Sequence, residues 1–153
     1  MRKAFIFLLI VVAAACSKEE FCIQPSAMAM TMNFKTYDST LTLVDTPLVE
    51  ATVFNLDTAY FFVDNALSLT RASVALKKGQ NAQTYVIRHS NENDTVLIRY
   101  QSDTNFISNG CGYQTYFTLE NATSASDRID SVNITSERVD NLNTNPHLEI
   151  IYK

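Results

Sequence analysis

Apolar and polar residues alternate with a period of two through most of this chain, and that spacing constrains the fold more than any other feature. In the run AMAMTMNFKTY, Met28, Met30, Met32 and Phe34 fall on one side of an extended segment. Successive side chains of a β-strand point to opposite faces, so such a segment has one apolar and one polar face. The alternation recurs in TVLIRY, GYQTYFTL, SVNIT and HLEIIY. Since no window of a dozen residues shows a clear helical stripe, the pattern predicts an all-β protein.

The turns between these strands are rich in asparagine and aspartate. The chain has thirteen Asn and three Gly, and Asn and Asp tolerate the left-handed backbone angles of tight turns. The segment HSNENDT, residues 89–95, lies between two alternating runs and predicts a hairpin loop. About eight to ten short strands fit the chain, which is typical of sandwiches and barrels. We expect a single antiparallel β-sandwich domain, with a small β-barrel as the alternative.

The methionines of the first alternating run allow two interpretations. Methionine adapts to irregular contacts and its thioether binds soft metals, so the stripe could form a metal site or a partner surface. Apolar residues on one face of a strand more often pack in the core. We expect Met28, Met30 and Met32 to be core residues.

The first fifteen residues have the pattern of an export signal and not of a folded segment. Arg2 and Lys3 precede an apolar stretch from Ala4 to Val12, which three alanines follow. The stretch is too short for a membrane span, which needs about 20 residues. The small residues lead directly into Cys16, and AAAC resembles the lipobox of bacterial lipoproteins. That resemblance implies cleavage before Cys16 and acylation of its thiol; the alternative is an ordinary signal peptide with a chance cysteine.

The mature chain divides into a short tether and one domain. We expect residues 16–21 to form a lipid-anchored linker and residues 22–153 to form the β-sandwich. The tether contains SKEE, which resembles the lysine-plus-acidic signal that sends lipoproteins of Bacteroidetes to the outer face of the outer membrane. A solvated linker has the same composition. We therefore expect attachment to the outer membrane with surface exposure, and the periplasmic face is the alternative.

Two cysteines remain once Cys16 is assigned to the anchor. Disulfides form and persist in exported proteins, so Cys22 and Cys111 predict a bridge, with two unpaired thiols as the alternative. Closing a loop of about 90 residues stabilises a fold by about 4 to 5 kcal/mol in the chain-entropy model. A reactive Cys111 is a further alternative, but no Lys, Arg or His stands beside it in sequence to stabilise a thiolate.

Charge and histidine content bear on the function classes. Removal of residues 1–15 leaves ten basic and sixteen acidic residues, a formal charge of −6. That balance argues against a nucleic-acid partner, because phosphates require Lys and Arg clusters. A zinc site would depend on His89, His147 and carboxylates, and the two histidines stand in unrelated contexts. We expect both to be surface or strand-end residues, and we expect no metal or other cofactor.

Carboxylate pairs are the remaining catalytic candidates. A glycosidase needs two carboxylates that face each other across a cleft. Asp127 with Asp130, or Asp57 with Asp64, could be proposed, but nothing in the sequence distinguishes them from solvated loop residues. We therefore predict no catalytic residue.

Four tripeptides begin with Asp, continue with Ser or Thr and end with an aliphatic residue or Thr. This pattern resembles the O-glycosylation site of exported Bacteroidetes proteins. The same tripeptides form turns in which the aspartate caps the backbone. The candidate acceptors are Ser39, Thr58, Thr95 and Ser131.

The lipobox, the early Cys22, and the runs DTVLIRY, NGCGYQTYFTL, IDSVNIT and NPHLEIIY together resemble a family of small Bacteroidetes lipoproteins known only as a domain of unknown function. The resemblance covers most of the mature chain and is strongest from Thr84 onward. It implies a lipid-anchored β-rich domain with a bridge between the early cysteine and the one in CG, and it implies no activity.

We therefore expect a non-catalytic envelope module, attached to the membrane through Cys16, that binds a protein or glycan partner or supports an envelope complex. The alternative is a small envelope hydrolase or inhibitor whose site consists of scattered Asp, Tyr and His residues.

Overall fold

The computed structural model describes residues 28–140 and 145–153, and every regular element in these two ranges is a β-strand. The strands are β1 Ala29–Tyr37, β2 Leu43–Asp45, β3 Ala51–Asn55, β4 Phe61–Ala66, β5 Arg71–Ala75, β6 Ala82–His89, β7 Glu92–Ser108, β8 Gly112–Ser124, β9 Ile129–Ile134, β10 Arg138–Val139 and β11 Leu148–Tyr152. The all-β prediction is confirmed. The described residues contain no helix that could cross a membrane.

The strands form two sheets that pack together. In the five-stranded sheet β1 is central, with β11 and then β9 on one side and both β5 and β2 on the other. The six-stranded sheet has the order β10-β8-β7-β6-β3-β4. The sandwich prediction is confirmed, although β1 and β11 pair in parallel. A parallel pair requires a long connection, and here almost the whole domain lies between the two strands.

The apolar face of β1 lies at the centre of the core. Met30, Met32 and Phe34 are completely buried, and Met28 is 5% exposed. The structure thus places the methionine stripe in the core, as expected. The six-stranded sheet supplies the other side of this core, and its fully buried side chains include Tyr85, Ile87, Val96, Ile98 and Tyr100.

The predicted hairpin between the two alternating runs is present as β6 and β7. His89 pairs with Glu92, so the connecting loop contains only Ser90 and Asn91. Both residues have positive φ, 52° and 62°, as in the type I′ turns that match the twist of paired strands. The loop is shorter than the predicted HSNENDT segment, and Asp94 consequently lies within β7.

The hairpin of β7 and β8 extends beyond the rest of its sheet. Beyond Arg99, the described partner of β7 is β8 alone, so the far part of the hairpin is a two-stranded ribbon. We call residues 103–116 the hairpin tip. Its turn is closed by Gly112, whose φ of 66° is a conformation that other residues adopt at a cost.

We predict that Phe34→Ala lowers the free energy of unfolding by about 3 to 5 kcal/mol, because the truncation removes a fully buried ring and leaves a cavity. Tyr37→Ala is the matched control on the same strand, since Tyr37 is 49% exposed, and it should change stability by no more than about 0.5 kcal/mol. Urea unfolding of the mature chain measures both values. Equal losses in the two variants would contradict the central position of β1.

Candidate functional site

A cluster of polar side chains links the two sheets at one end of the sandwich. Asp94 of β7 is 1% exposed, and its carboxylate accepts two hydrogen bonds from Arg128, from Nε at 3.1 Å and from Nη2 at 2.5 Å. The hydroxyl of Ser126 donates a further hydrogen bond to Asp94. Arg128 directly precedes β9, so this bidentate pair joins one sheet to the other. We call it the Asp94–Arg128 clasp.

Three more polar side chains surround the clasp. Nη1 of Arg128 lies 2.8 Å from a carboxylate oxygen of Glu92. Nε2 of His89 lies 3.3 Å from Oδ2 of Asp94, and the His89 side chain is 13% exposed. The ring of Tyr152 contacts the His89 ring edge to face, with centroids 5.2 Å apart. The guanidinium of Arg128 is therefore shared between the carboxylates of Glu92 and Asp94, and side chains from both sheets surround the buried Asp94.

The environment of the clasp sets the protonation of its members. Burial would raise the pKa of Asp94, but the hydrogen bonds from Arg128 and Ser126 outweigh it, and this pKa lies below its ordinary value. Burial, together with the charge of Arg128, lowers the pKa of His89. Burial, together with the charge of Asp94, raises the pKa of Tyr152. At neutral pH Asp94 is therefore charged, whereas His89 and Tyr152 are neutral.

A cleft of about 470 Å³ opens beside the clasp. Of the four carboxylates considered as candidate pairs, Asp127 lines this cleft, whereas Asp130 is exposed on β9, Asp64 is exposed on β4, and Asp57 lies in the β3–β4 turn. The cleft is lined by Thr46, Pro47, Leu48, Val49, His89, Ser90, Asp127, Arg128, Tyr152 and Lys153. His and Tyr side chains of this kind can act as general acids or bases.

The contacts within the cluster favour a structural role. A hydrolase that uses a serine nucleophile needs the hydroxyl in contact with a base, but the Ser126 hydroxyl donates to Asp94 and not to His89. The guanidinium of Arg128 contacts Asp94 and Glu92. Across residues 28–140 and 145–153, no three His, Cys, Asp or Glu side chains are grouped closely enough to hold a metal ion.

The second histidine is buried in the sheet that contains β1. His147 directly precedes β11 and is 2% exposed. The ring Nδ1 of His147 accepts a hydrogen bond from the backbone N–H of Thr31 at 3.1 Å, and the backbone N–H of His147 donates to the Thr31 carbonyl at 2.8 Å. Both histidines are strand-end residues, as expected, and His147 is also buried, because its ring completes the β1–β11 pairing. Burial lowers the pKa of His147.

An exposed group of apolar side chains lies on the hairpin of β3 and β4, at the free edge of the six-stranded sheet. Leu56, Tyr60 and Phe61 are 54%, 63% and 49% exposed. The ring of Tyr60 lies 5.0 Å from that of Phe62, which lies 5.9 Å from the buried ring of Tyr85. The exposed ring of Tyr60 is therefore linked to the core through Phe62. We call Leu56, Tyr60 and Phe61, with the supporting Phe54 and Phe62, the aromatic edge.

The turn beneath the aromatic edge is held by one buried side chain. Oδ1 of Asn55 accepts hydrogen bonds from the backbone N–H groups of Asp57 and Thr58, both at 3.0 Å, and from the Thr58 hydroxyl at 3.1 Å. Phe54 and Phe61 also contact each other, with centroids 5.4 Å apart. The rings are consequently presented on a fixed turn. The sequence analysis missed this surface, although the run YFFV interrupts the alternation and so signals an aromatic residue on the outer face.

The four candidate glycosylation acceptors occupy different environments. Ser39 and Thr58 are exposed in turns, whereas Thr95 and Ser131 are half-buried within β7 and β9. The first turn is capped by Asp38, whose Oδ1 accepts hydrogen bonds from the backbone N–H groups of Thr40 and Thr42. The aspartate-capped turn, which was the alternative interpretation, is thus present at Ser39. Modification of the four acceptors stays a prediction.

Cys111 lies in the turn of the hairpin tip, where its backbone N–H donates to the Ser108 hydroxyl at 3.1 Å. The export signal, Cys16, the linker and Cys22 lie outside the described residues. The acylation of Cys16 and the bridge from Cys22 to Cys111 therefore stay predictions.

We predict that Arg128→Met lowers the free energy of unfolding by about 3 to 5 kcal/mol, because it leaves the buried Asp94 carboxylate without its partner. Arg138→Met is the matched control, since the Arg138 side chain is 66% exposed in its pair with Asp140, and it should lose at most about 1 kcal/mol. Adding Asp94→Leu to Arg128→Met should recover part of the loss. Chemical denaturation measures all three, and a loss below that of Arg138→Met would contradict the clasp.

The buried histidines should make stability depend on pH. The pKa values of His89 and His147 in the folded protein lie below about 6.5, the value expected in the unfolded chain. Their contribution to stability is therefore complete above about pH 6.5 and falls as the pH decreases below it, since only the unfolded chain takes up protons there.

The test is the free energy of unfolding between about pH 7.5 and 5. His147→Asn retains an acceptor for the Thr31 N–H and should show a smaller decrease than the natural chain. Because the pKa of Asp94 is lowered, the stability that its carboxylate contributes is lost only at pH values below this range. A free energy that does not change across the range would show that the two histidines do not resist protonation.

Comparison with known proteins identifies the family but not an activity. No curated protein and no solved structure matches the chain. A family model described as "Family of unknown function (DUF6452)" matches residues 50–152, which include the aromatic edge, the clasp and the hairpin tip. Because the match covers more than half of the chain, this protein belongs to the DUF6452 family.

Proposed function

We propose that this protein is a lipid-anchored envelope protein of the outer membrane whose β-sandwich is a non-catalytic module that binds a protein or glycan partner through the aromatic edge. The observation that carries the proposal is the exposure of Leu56, Tyr60 and Phe61 together on one rigid hairpin. Contiguous exposed apolar surface marks interaction sites in soluble domains, and aromatic residues are enriched where partners meet.

The shape of the edge indicates how a partner is recognised. The pairing of β3 with β4 has two register shifts, and Asn65 of β4 has a positive φ of 47°. The backbone N–H of Asn65 donates a hydrogen bond to the Thr52 hydroxyl at 3.1 Å. Bulges of this kind protect an edge against pairing with another strand. Recognition therefore relies on the ring faces and not on addition of a strand.

The charges beside the rings fit the same function. Asp57 and Asp64 are both exposed, one in the turn and one on β4. Aromatic faces with adjacent carboxylates can stack on a sugar ring and accept hydrogen bonds from its hydroxyls, or hold a basic side chain over a ring. This chemistry suits either a glycan or a basic protein surface.

The membrane attachment in this proposal rests on the sequence. The charged and apolar regions of residues 1–15 lead directly into Cys16, which would carry the acyl chains. One acyl chain anchors a protein only marginally, whereas two or more hold it firmly. The predicted bridge from Cys22 to Cys111 would then fasten the domain to the end of its tether.

A small hydrolase or inhibitor is the second candidate function. The cleft beside the clasp supports it, because His89, Asp127 and Tyr152 converge there and the pKa values of His89 and Tyr152 are shifted. The pairing of Ser126 and Arg128 with Asp94 weighs against it. We therefore prefer the binding module.

The anchor is tested by intact and peptide mass spectrometry of protein purified from native membranes without reduction. We predict two or three acyl chains on Cys16 and a linked peptide that joins Cys22 to Cys111. Cys16→Ser is the control and should be recovered without acyl chains. An unmodified mature chain with two free thiols would contradict both the anchor and the bridge.

The aromatic edge is tested with a photo-crosslinking amino acid at position 60 and, as the matched control, at position 37. Tyr60 and Tyr37 are both exposed, but Tyr37 ends β1 of the five-stranded sheet, whereas Tyr60 directly precedes β4 of the six-stranded sheet. We predict a discrete crosslinked product in intact cells from position 60 only. Because a glycan yields no protein crosslink, binding of the purified chain to envelope polysaccharide is measured in parallel.

In the polysaccharide assay the double variant Tyr60→Ser/Phe61→Ser should bind at least about tenfold more weakly, since truncated aromatic residues at interface centres typically have effects of this size. In the crosslinking assay, where position 60 carries the photo-reactive amino acid, Phe61→Ser alone should lower the yield of the product. Tyr37→Ser should bind like the natural chain. Equal crosslinking from both positions, or full binding by the double variant, would contradict the assignment of the partner to this edge.

A further inference from the structure

The hairpin tip carries a second pair of exposed aromatic residues, separate from the aromatic edge. Phe106 of β7 and Tyr113 of β8 are direct partners in the ladder, and their rings contact edge to face with centroids 5.4 Å apart. They are 54% and 74% exposed. Two large rings are therefore presented to solvent on a ribbon that extends beyond the rest of its sheet.

The surroundings of this pair are almost uncharged. Between Gln101 and Thr118 the sequence has one charged residue, Asp103, among Ser, Thr, Asn, Gln, Gly and aromatic residues. Lys78 lines a cleft of about 280 Å³ together with Tyr113 and Met28. Lys77 and Lys78 are the only adjacent basic residues of the mature chain. This end of an acidic protein thus combines exposed aromatic rings with its basic pair.

The tether reaches the domain at the same end. Met28 is the first described residue, and it lines the cleft that Tyr113 also lines. The twelve Cα–Cα steps from Cys16 to Met28 span at most about 40 Å when fully extended. If Cys22 is bridged to Cys111, only five residues lie between the acylated Cys16 and the bridged Cys22, and the six Cα–Cα steps that join the two cysteines span at most about 20 Å.

We propose that Phe106 and Tyr113 at the hairpin tip, with the adjacent Lys77 and Lys78, form the surface by which the anchored domain contacts the lipid headgroup region of its membrane. Aromatic side chains favour this region, because one part of the ring is apolar and the other is polar. Lysines add attraction to anionic headgroups. The inference rests on the proposed anchor at Cys16, which holds the tip within reach of the bilayer.

This contact would orient the whole domain. The clasp residue Asp94 precedes Phe106 by twelve positions on β7, which corresponds to about 40 Å of extended strand. With the tip on the bilayer, the clasp and its cleft would face away from the membrane.

The experiment uses the absence of tryptophan from the natural chain. Tyr113→Trp and, as the matched control, Tyr60→Trp each introduce a single fluorophore at an exposed tyrosine. The acylated variants are reconstituted into vesicles of phosphatidylethanolamine and phosphatidylglycerol, with and without brominated phosphatidylcholine as a quencher. We expect the brominated lipid to reduce the emission of the residue-113 tryptophan by about twofold or more, and to leave that of the residue-60 tryptophan unchanged.

Mass spectrometry first verifies that the reconstituted protein is acylated. If the brominated lipid then quenches the two tryptophans equally, or quenches neither, the inference is overturned and the anchor stays in place. A chain without acyl groups on Cys16 would overturn the proposed attachment. The tip would then be tested by itself, by holding the chain to nickel-chelating lipid through six histidines placed before Ser17.

The contribution of the basic pair is tested with Lys77→Glu/Lys78→Glu in the Tyr113→Trp background. We expect weaker quenching than in the parent when phosphatidylglycerol is present, and the same quenching when it is replaced by a zwitterionic lipid. Quenching equal to that of the parent in the anionic vesicles would show that the two lysines are not part of the contact surface.

Discussion

The packing of β1 against the six-stranded sheet is the contact on which the rest of the structure depends. Met30, Met32 and Phe34 are fully buried, and β1 itself pairs with the adjacent β2, with β5 and with the last strand β11. The five-stranded sheet therefore cannot form until the two ends of the domain meet, because β1 and β11 are the first and last strands of the domain. Contacts between residues so far apart in sequence are costly in chain entropy, which a continuous apolar face offsets.

The fold could be predicted where the signal is local. Alternation identifies β1, β6, β7 and β11 because their core faces are apolar, although the opposite faces also carry the apolar residues Val86, Leu97 and Ile151. The tight turn at Ser90 and Asn91 follows from residues that tolerate positive φ. The parallel β1–β11 pair could not be predicted, since alternation gives the faces of a strand but not its neighbours or its direction.

The site was less predictable, because it is made by residues distant in sequence. Asp94 and Arg128 are 34 positions apart, and each looks like an ordinary surface residue until the two sheets meet. His147 is buried although it borders a polar loop, because its ring accepts the N–H of Thr31, 116 positions away. Phe61 had a local signal, the interrupted alternation of YFFV. The polar contacts between the strands and sheets could thus not be predicted from sequence patterns, because their partners are far apart in the chain.

The long strand β7 connects these features into one arrangement. Its first residues contribute Asp94 to the clasp, its middle contributes Val96, Ile98 and Tyr100 to the core, and its last residues carry Phe106 to the hairpin tip. A strand that is rigidly packed along its middle holds its two ends at a fixed separation. The buried ion pair at one end fixes how the sheets meet, so the polar cleft has a defined position relative to the tip. A tether that attaches beside the tip would therefore determine which surfaces of the sandwich face outward, and the partner-binding surface need not include the residues nearest the membrane.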